Sequence, residues 1–251
     1  MNKPIRFFMQ NPAVRIFLFV VFMIGLSACV HQSNKNKSSS ATRETASVEQ
    51  ESLGDEMDWN LEFSENFSDV EIGTEPESLF ILDGAYTVQA EQTGEKSLHL
   101  PGSPMGDFGL LFGPREKEKN LELCFSFFAS KKGRRMPSIA AGIGGIRGFR
   151  IRLNPAAKNI VLSQDEMVFK EIPFSWTGDQ WWKLRFQALA GDLNQTTRLR
   201  FKLWSEKNNE PKDWILSEQY DVEYKGGKCA LWGFPYSSTP IRFDNIEIRS
   251  N

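Results

Sequence analysis

The sequence predicts an all-β fold in which two antiparallel sheets pack face to face as a sandwich. Three observations predict it. Period-two alternation recurs: Leu121, Leu123, Phe125 and Phe127 share one phase, as do Phe149, Ile151 and Leu153, and Leu199, Phe201 and Leu203. That period marks strands with one buried face. Short apolar runs follow one another at fairly regular spacing, divided by turn residues, with no convincing helical pattern. The chain also carries 20 Phe and 7 Trp, and aromatic side chains suit a pleated, half-buried surface.

The first element is a leader and stands outside the fold. Lys3, Arg6 and Arg15 precede a wholly apolar run, IFLFVVFMI, over 16–24. That run is too short to cross a hydrocarbon core of ~30 Å comfortably. Gly25, Leu26, Ser27, Ala28 and Cys29 follow. Small residues before a cysteine, directly after an apolar run, resemble the lipobox of bacterial lipoproteins. The resemblance implies a signal peptide over 1–28, cleavage before Cys29, and lipidation of its thiol and new amino group. An ordinary signal peptide or an uncleaved anchor is the alternative. Several acyl chains give lasting attachment to a membrane. Val30, not an aspartate, follows the cysteine, which tilts the expected address toward the outer membrane of a cell with two membranes.

Residues 29–57 read as a tether. Rich in Ser, Asn, Lys and Glu and poor in large apolar residues, they cannot bury enough to fold. As a flexible coil, ~28 residues reach roughly 30 Å. The body, 58–251, is about the size of one sandwich domain. Strands are expected at 61–67, 85–91, 96–101, 108–114, 120–130, 138–144, 148–154, 159–164, 167–174, 181–189, 196–206, 217–224, 228–235 and 240–249. No internal repeat is visible.

The stretch QWWKLRF carries Trp181 and Trp182 side by side. Adjacent strand residues point to opposite faces, so the two rings cannot form one platform. Trp182, Leu184 and Phe186 belong to the core. Trp181 is left either as cover for the sandwich end or as a ligand contact. Trp59 and Trp232 are expected in the core, and Trp214 in a surface loop.

The polar phases are basic. Arg150 with Arg152, Lys183 with Arg185, and Arg198, Arg200 and Lys202 with Trp204 each share a face. Were their three strands neighbours, they would make a cationic strip edged by Trp204. Arg grips carboxylate or sulfate as a fork, so such a strip suits acidic glycans. The competing reading is a solvated outer face, paired with carboxylates such as Glu122 across strands. The overall balance is near neutral, with a net charge of -2. That argues against nucleic acid as a partner.

Cys124 and Cys229 remain once Cys29 is assigned. A disulfide is permitted outside the cytoplasm; two separate buried thiols are the favoured reading. The only other histidine than His31 is His99, between Leu98 and Leu100, and it reads as a polar-face residue. The Gly-rich GIGGIRG (142–148) reads as a tight turn or close sheet packing. KKGRR (131–135) reads as a basic hairpin-like loop, a solvated turn first and a contact for anionic lipid or glycan as the lesser reading.

The ending ALWGFPYSSTPIRFDNIEIRS, with FSENFSD, WWKLRFQ and FKLWSEKNNEPKDW, resembles concanavalin A-like, laminin-G-like jelly-roll domains of bacterial surface proteins. Within that group the closest likeness is to the 3-keto-disaccharide hydrolase-like family, whose function is unknown. The resemblance implies a jelly-roll of two sheets, with the last strand running back beside the first. The phase shift between Phe243 and Ile246 points to a bulge at Asp244 and Asn245. Such domains often hold a structural Ca²⁺ where first and last strands meet. Glu65, Asp69 and Asp244 are the donors this implies, against a role for Asp244 in satisfying backbone at the bulge. Catalysis is not implied. The Glu-x-Asp-x-Glu strand of the glucanase branch is missing, and one histidine in the body gives little support to a Ser-His-Asp site.

Three functions are therefore expected in descending order. The first is a non-catalytic, lipid-anchored protein of the cell envelope that binds a carbohydrate or another envelope component. Its contacts would be Arg150, Arg152, Arg185, Arg200 and Trp204, with no cofactor beyond a structural calcium. The second is a glycoside-cleaving enzyme. The third is an assembly protein whose sandwich binds another protein.

Overall fold

The computed structural model describes residues 57–251, except Met105, Glu118, Asp192 and Asn194. The leader, Cys29 and the tether up to residue 56 lie outside the described residues. Among the described residues there are fifteen strands, and no helix is long and apolar enough to cross a membrane. In order they are β1 (Asn60–Glu65), β2 (Leu79–Ile81), β3 (Thr87–Ala90), β4 (Lys96–Leu100), β5 (Phe108–Glu116), β6 (Leu121–Ala129), β7 (Ser138–Ile143), β8 (Phe149–Asn154), β9 (Asn159–Gln164), β10 (Met167–Pro173), β11 (Trp181–Ala190), β12 (Thr197–Ser205), β13 (Leu216–Tyr220), β14 (Gly227–Phe234) and β15 (Ile241–Ser250).

The first sheet has the order β13-β12-β11-β6-β15-β4-β3, with β1 also on β15; the second runs β10-β9-β8-β7-β14-β5-β2. Every pairing between these strands is antiparallel. Alternation decides the faces. Leu123, Phe125 and Phe127 of β6, Leu184 and Phe186 of β11, and Phe243 and Ile246 of β15 point inward. They meet Ile151, Leu153, Ile160, Leu162 and Leu231 of the second sheet in one core. Burial of each such side chain is worth about 1.5–3 kcal/mol. At one edge β13 and β10 are joined across the sandwich. Phe169 stacks on Tyr220 at 4.7 Å, and Lys170 pairs with Glu218 at 2.7 Å.

All fourteen expected strands are present within a few residues. The fifteenth, β2, has only three residues and exposes Phe80. It is too short for a period to show, and it exists because β5 offers it a partner. As the resemblance implies, β1 pairs with β15, and, as the phase shift predicts, a register break falls between Asp244 and Glu247. Asn245 there has φ 50°, a left-handed conformation that Asn tolerates better than most residues.

The paired tryptophans part as expected. Trp182 packs against the core and meets Trp176 edge to face at 6.2 Å, while Trp181 faces outward against Phe128. Trp59 corrects the expectation, and Trp232 is buried as expected but away from the main core. Trp59 is only half-buried, just ahead of β1. Trp232 is buried but on the outer face of the second sheet, in a small separate cluster with Ala140 and Ala230. Cys229 and Leu231 take the inward phase, so Trp232 cannot. Its indole lies over Gly109 and Gly142, where an added Cβ would come within 2.7 and 2.9 Å of it. The cysteines are free, Cys229 in the core and Cys124 on the outer face of the first sheet. Burial pushes both thiols far above their ordinary range.

Candidate functional site

The outer face of the first sheet is a grid, because opposed residues on neighbouring strands sit about 5 Å apart. One row runs Thr87, His99, Arg242, Phe128, Trp181 across β3, β4, β15, β6 and β11. The next runs Asp244, Ser126, Lys183, Trp204. Beyond the bulge lie Glu247, Cys124, Arg185 and Lys202, then Arg249, Glu122, Gln187 and Arg200.

The rows beyond the bulge are sealed. Glu122, Gln187 and Arg200 are at most 1% exposed, and Lys202 is 7% exposed. Gln187 donates Nε2 to Glu122 and accepts from Nε of Arg200. The loop after β12 closes over them. Its Trp214 ring covers Arg200 at 4.2 Å and Lys202 at 4.5 Å, and its Glu210 reaches Arg185 at 3.2 Å and Lys202 at 3.3 Å. Arg185 also lies 3.7 Å from Glu122. Buried charge is tolerated only when paired; here the pairing consumes it.

The rows before the bulge are open. A cavity of about 610 Å³ lies over them. Ser126, Phe128, Trp181, Arg242, Asp244 and Asn245 rise from the sheet, Glu91 and Glu95 come from the β3–β4 turn, and Glu206 follows β12. Phe128 and Trp181 form one wall, with ring centres 5.7 Å apart. The Arg242 guanidinium lies on Phe128 at 3.7 Å, held there by Glu91, which also accepts from the Ser97 hydroxyl. The bulge aims Asp244 and Asn245 into the space, where Asp244 accepts from the Asn245 backbone N–H at 2.7 Å. Burial raises the Asp244 carboxyl to about 6. The Asn245 bond opposes the rise, and Glu95, Glu206 and Glu91 add to it. An aromatic wall can take the C–H face of a ring, and carboxylates and an amide around it can bind hydroxyls.

The expected cationic strip is therefore divided. Arg185 and Arg200 are on neighbouring strands and sit in the sealed half. Trp204 stands one strand beyond the cavity lining. Arg150 and Arg152 belong to β8, in the other sheet. There Arg150 lies over Trp232 at 4.3 Å and Arg152 over Phe234 at 3.9 Å. Alternation assigned the faces; it could not assign the neighbours. His99 is half-buried on the polar face, and burial, then Arg242, hold its imidazole below the ordinary histidine range.

The calcium donors do not assemble. Glu65 spends one oxygen on the Phe67 N–H at 2.7 Å and the other on Ser78 at 2.6 Å; Asp69 is exposed, and Asp244 faces the cavity. Among the described residues no three His, Cys, Asp or Glu gather in a set able to hold a metal.

Sequence reasoning missed Phe128, Arg242, Asn245, Glu91 and Glu95 as a group. The usable signals were local: Phe128 breaks the polar phase of β6, and Arg242 and Asp244 share a face ahead of the bulge.

No protein-family model and no curated protein matches this chain. Solved structures do. The chain is similar to the PL-14 alginate lyase from Aplysia kurodai at TM-score 0.56 and 7% identity, covering 76% of this chain and 100% of that one. It is similar to the Emp46p carbohydrate recognition domain in its potassium-bound form at TM-score 0.53 and 13% identity, covering 76% and 98%. It is similar to the winged bean acidic lectin complexed with methyl-α-D-galactose at TM-score 0.50 and 9% identity, covering 75% and 98%. The protein thus has the fold of the concanavalin A and legume-lectin-like jelly-roll sandwiches.

Proposed function

We propose that this chain is a non-catalytic carbohydrate-binding protein, lipid-anchored at Cys29 in a bacterial cell envelope, which takes a sugar ring against Phe128 and Trp181. The observation that carries the reading is the open cavity, where an aromatic wall, a guanidinium held flat by Glu91 and the bulge pair Asp244–Asn245 converge. The lectin-like neighbours support it at the level of fold. The apolar run and the small residues before Cys29 support the anchor. A distant kinship with the 3-keto-disaccharide hydrolase-like family is part of the same proposal.

Glycan-array binding by the soluble body tests it. Saturable binding is expected, and Trp181→Ala should weaken it about tenfold, which corresponds to the ~1.4 kcal/mol that one aromatic contact contributes. Failure to retain any oligosaccharide would end the reading. For the anchor, labelled palmitate should enter the full chain and be lost in Cys29→Ser.

One observation favours a second reading, glycoside cleavage. A carboxyl at about 6 among Glu91, Glu95 and Glu206 is suited to proton donation. Release of reducing ends from a bound oligosaccharide, abolished in Asp244→Asn, would select it.

A further inference from the structure

The end of the sandwich beside the Trp181 wall carries a second cavity, of about 460 Å³, that shares no lining residue with the first. The strand pair β6–β11 ends there. Three residues past Phe128 stands Lys131, and three before Trp181 stands Gly178; both line the second cavity. At about 3.3 Å per residue this is a step of roughly 10 Å. The two ends are tied together: Asp179 donates its N–H to the Ala129 carbonyl at 3.0 Å and accepts the Lys131 N–H at 2.8 Å.

The loop over this cavity is the basic stretch from Lys131 to Arg135. It folds back as a tight turn, Lys132 and Arg135 exchanging backbone hydrogen bonds at 2.9 and 3.1 Å around Gly133 at φ 62°. The turn displays Lys131, Lys132, Arg134 and Arg135 together, all exposed, and none of the four makes an ion pair among the described residues. Among the described residues no carboxylate lines the cavity; the rest of its lining includes Trp176, Met136 and Tyr236, the last 39% exposed. Among the described residues, Arg147, Arg185, Arg242 and Arg249 are matched by carboxylates, and Arg150, Arg152 and Arg200 are laid on rings. Here three cations, Lys131, Arg134 and Arg135, line an aromatic-edged hollow.

We propose that this cavity is a subsite for an acidic sugar, so that the ligand is a glycan carrying carboxylate or sulfate groups, its uncharged face on Trp181 and its anionic groups on Arg134, Arg135 and Lys131. The proposal rests on the carbohydrate reading of the first cavity and adds the ligand's charge. Guanidinium forks bind such anions in two parallel hydrogen bonds, while the acidic lining of the first cavity disfavours them. A polyanion of another class, such as a nucleic acid, would satisfy the charge but not the ring-sized hollow.

The test uses residues 57–251, which contain all the described core residues and strand partners. Titrate oligogalacturonide, its fully methyl-esterified form, alginate and chondroitin sulfate oligosaccharides, and single-stranded polynucleotide. At least one acidic oligosaccharide should bind. If it is the galacturonide, the ester should bind at least tenfold more weakly. That gap should close at high ionic strength, since exposed charges are screened, and in Arg134→Ser with Arg135→Ser, whose melting temperature should match the parent. Trp181→Ala should weaken both acid and ester. Equal binding of acid and ester overturns the subsite and leaves the first cavity standing. Acid binding lost in the double arginine variant but unchanged in Trp181→Ala keeps the subsite and removes the first cavity. Binding of no acidic oligosaccharide, or equal binding of polynucleotide, overturns the proposal.

Discussion

The two halves of the first sheet's outer face use the same strands and much the same residue types, yet one is closed and the other open. Beyond the bulge, Glu122, Gln187 and Arg200 form a buried cross-strand ladder under Trp214. Before it, Arg242, Asp244 and Trp181 line a cavity. The difference lies in what covers the sheet. The loop after β12 delivers a ring and a carboxylate to the first set of cations. Around the second, that loop contributes Glu206 and the β3–β4 turn contributes Glu91 and Glu95, which line the space without filling it, and the bulge turns Asp244 and Asn245 outward. A row of arginines on one strand face therefore reports nothing about binding until its lid and its counter-charges are known.

The largest expected effect is in the closed half. Gln187→Leu leaves Glu122 buried without its amide donor and should cost about 3 kcal/mol in urea-induced unfolding. A loss well under 1 kcal/mol would mean that the ladder does not hold that half together. Next comes the lid. Trp214→Ala should cost about 2 kcal/mol through its cation–π contacts, and hydrogen exchange should rise in β12 but not around the bulge. If both halves respond alike, they are not separate units.

The smallest effect is electrostatic. The folded Asp244 carboxyl titrates near 6, above its ordinary 3.8. The folded state therefore holds the proton more tightly, and stability falls as pH rises between those values. Asp244→Asn removes that penalty. It should raise the melting temperature at about pH 7 and change it little at about pH 3.5. An equal shift at both pH values would show that the carboxyl is not perturbed in the cavity.

Much of this was readable beforehand. Strand positions, the opposite faces of Trp181 and Trp182, the β1–β15 pairing and the break at Asp244 all followed from alternation and one resemblance. The short β2 did not, for three residues carry no period. The burial of Trp232 on the outer face was also hidden. Two glycines on strands far away in sequence make its slot, and only pairing brings them together.

The sequence by itself determined which side of each strand is greasy and which is polar, because side chains alternate along any extended backbone. It also showed the apolar run over 16–24 and the cysteine at 29 on which the proposed anchor rests. Only the tertiary structure decided that β8 sits in one sheet while β11 and β12 sit in the other, that Trp214 shuts one half of a face, and that Phe128, Arg242 and Glu91 meet on the other half. These are choices of partner between distant segments, made by how the whole sandwich buries its apolar sides, and no short stretch of chain contains them.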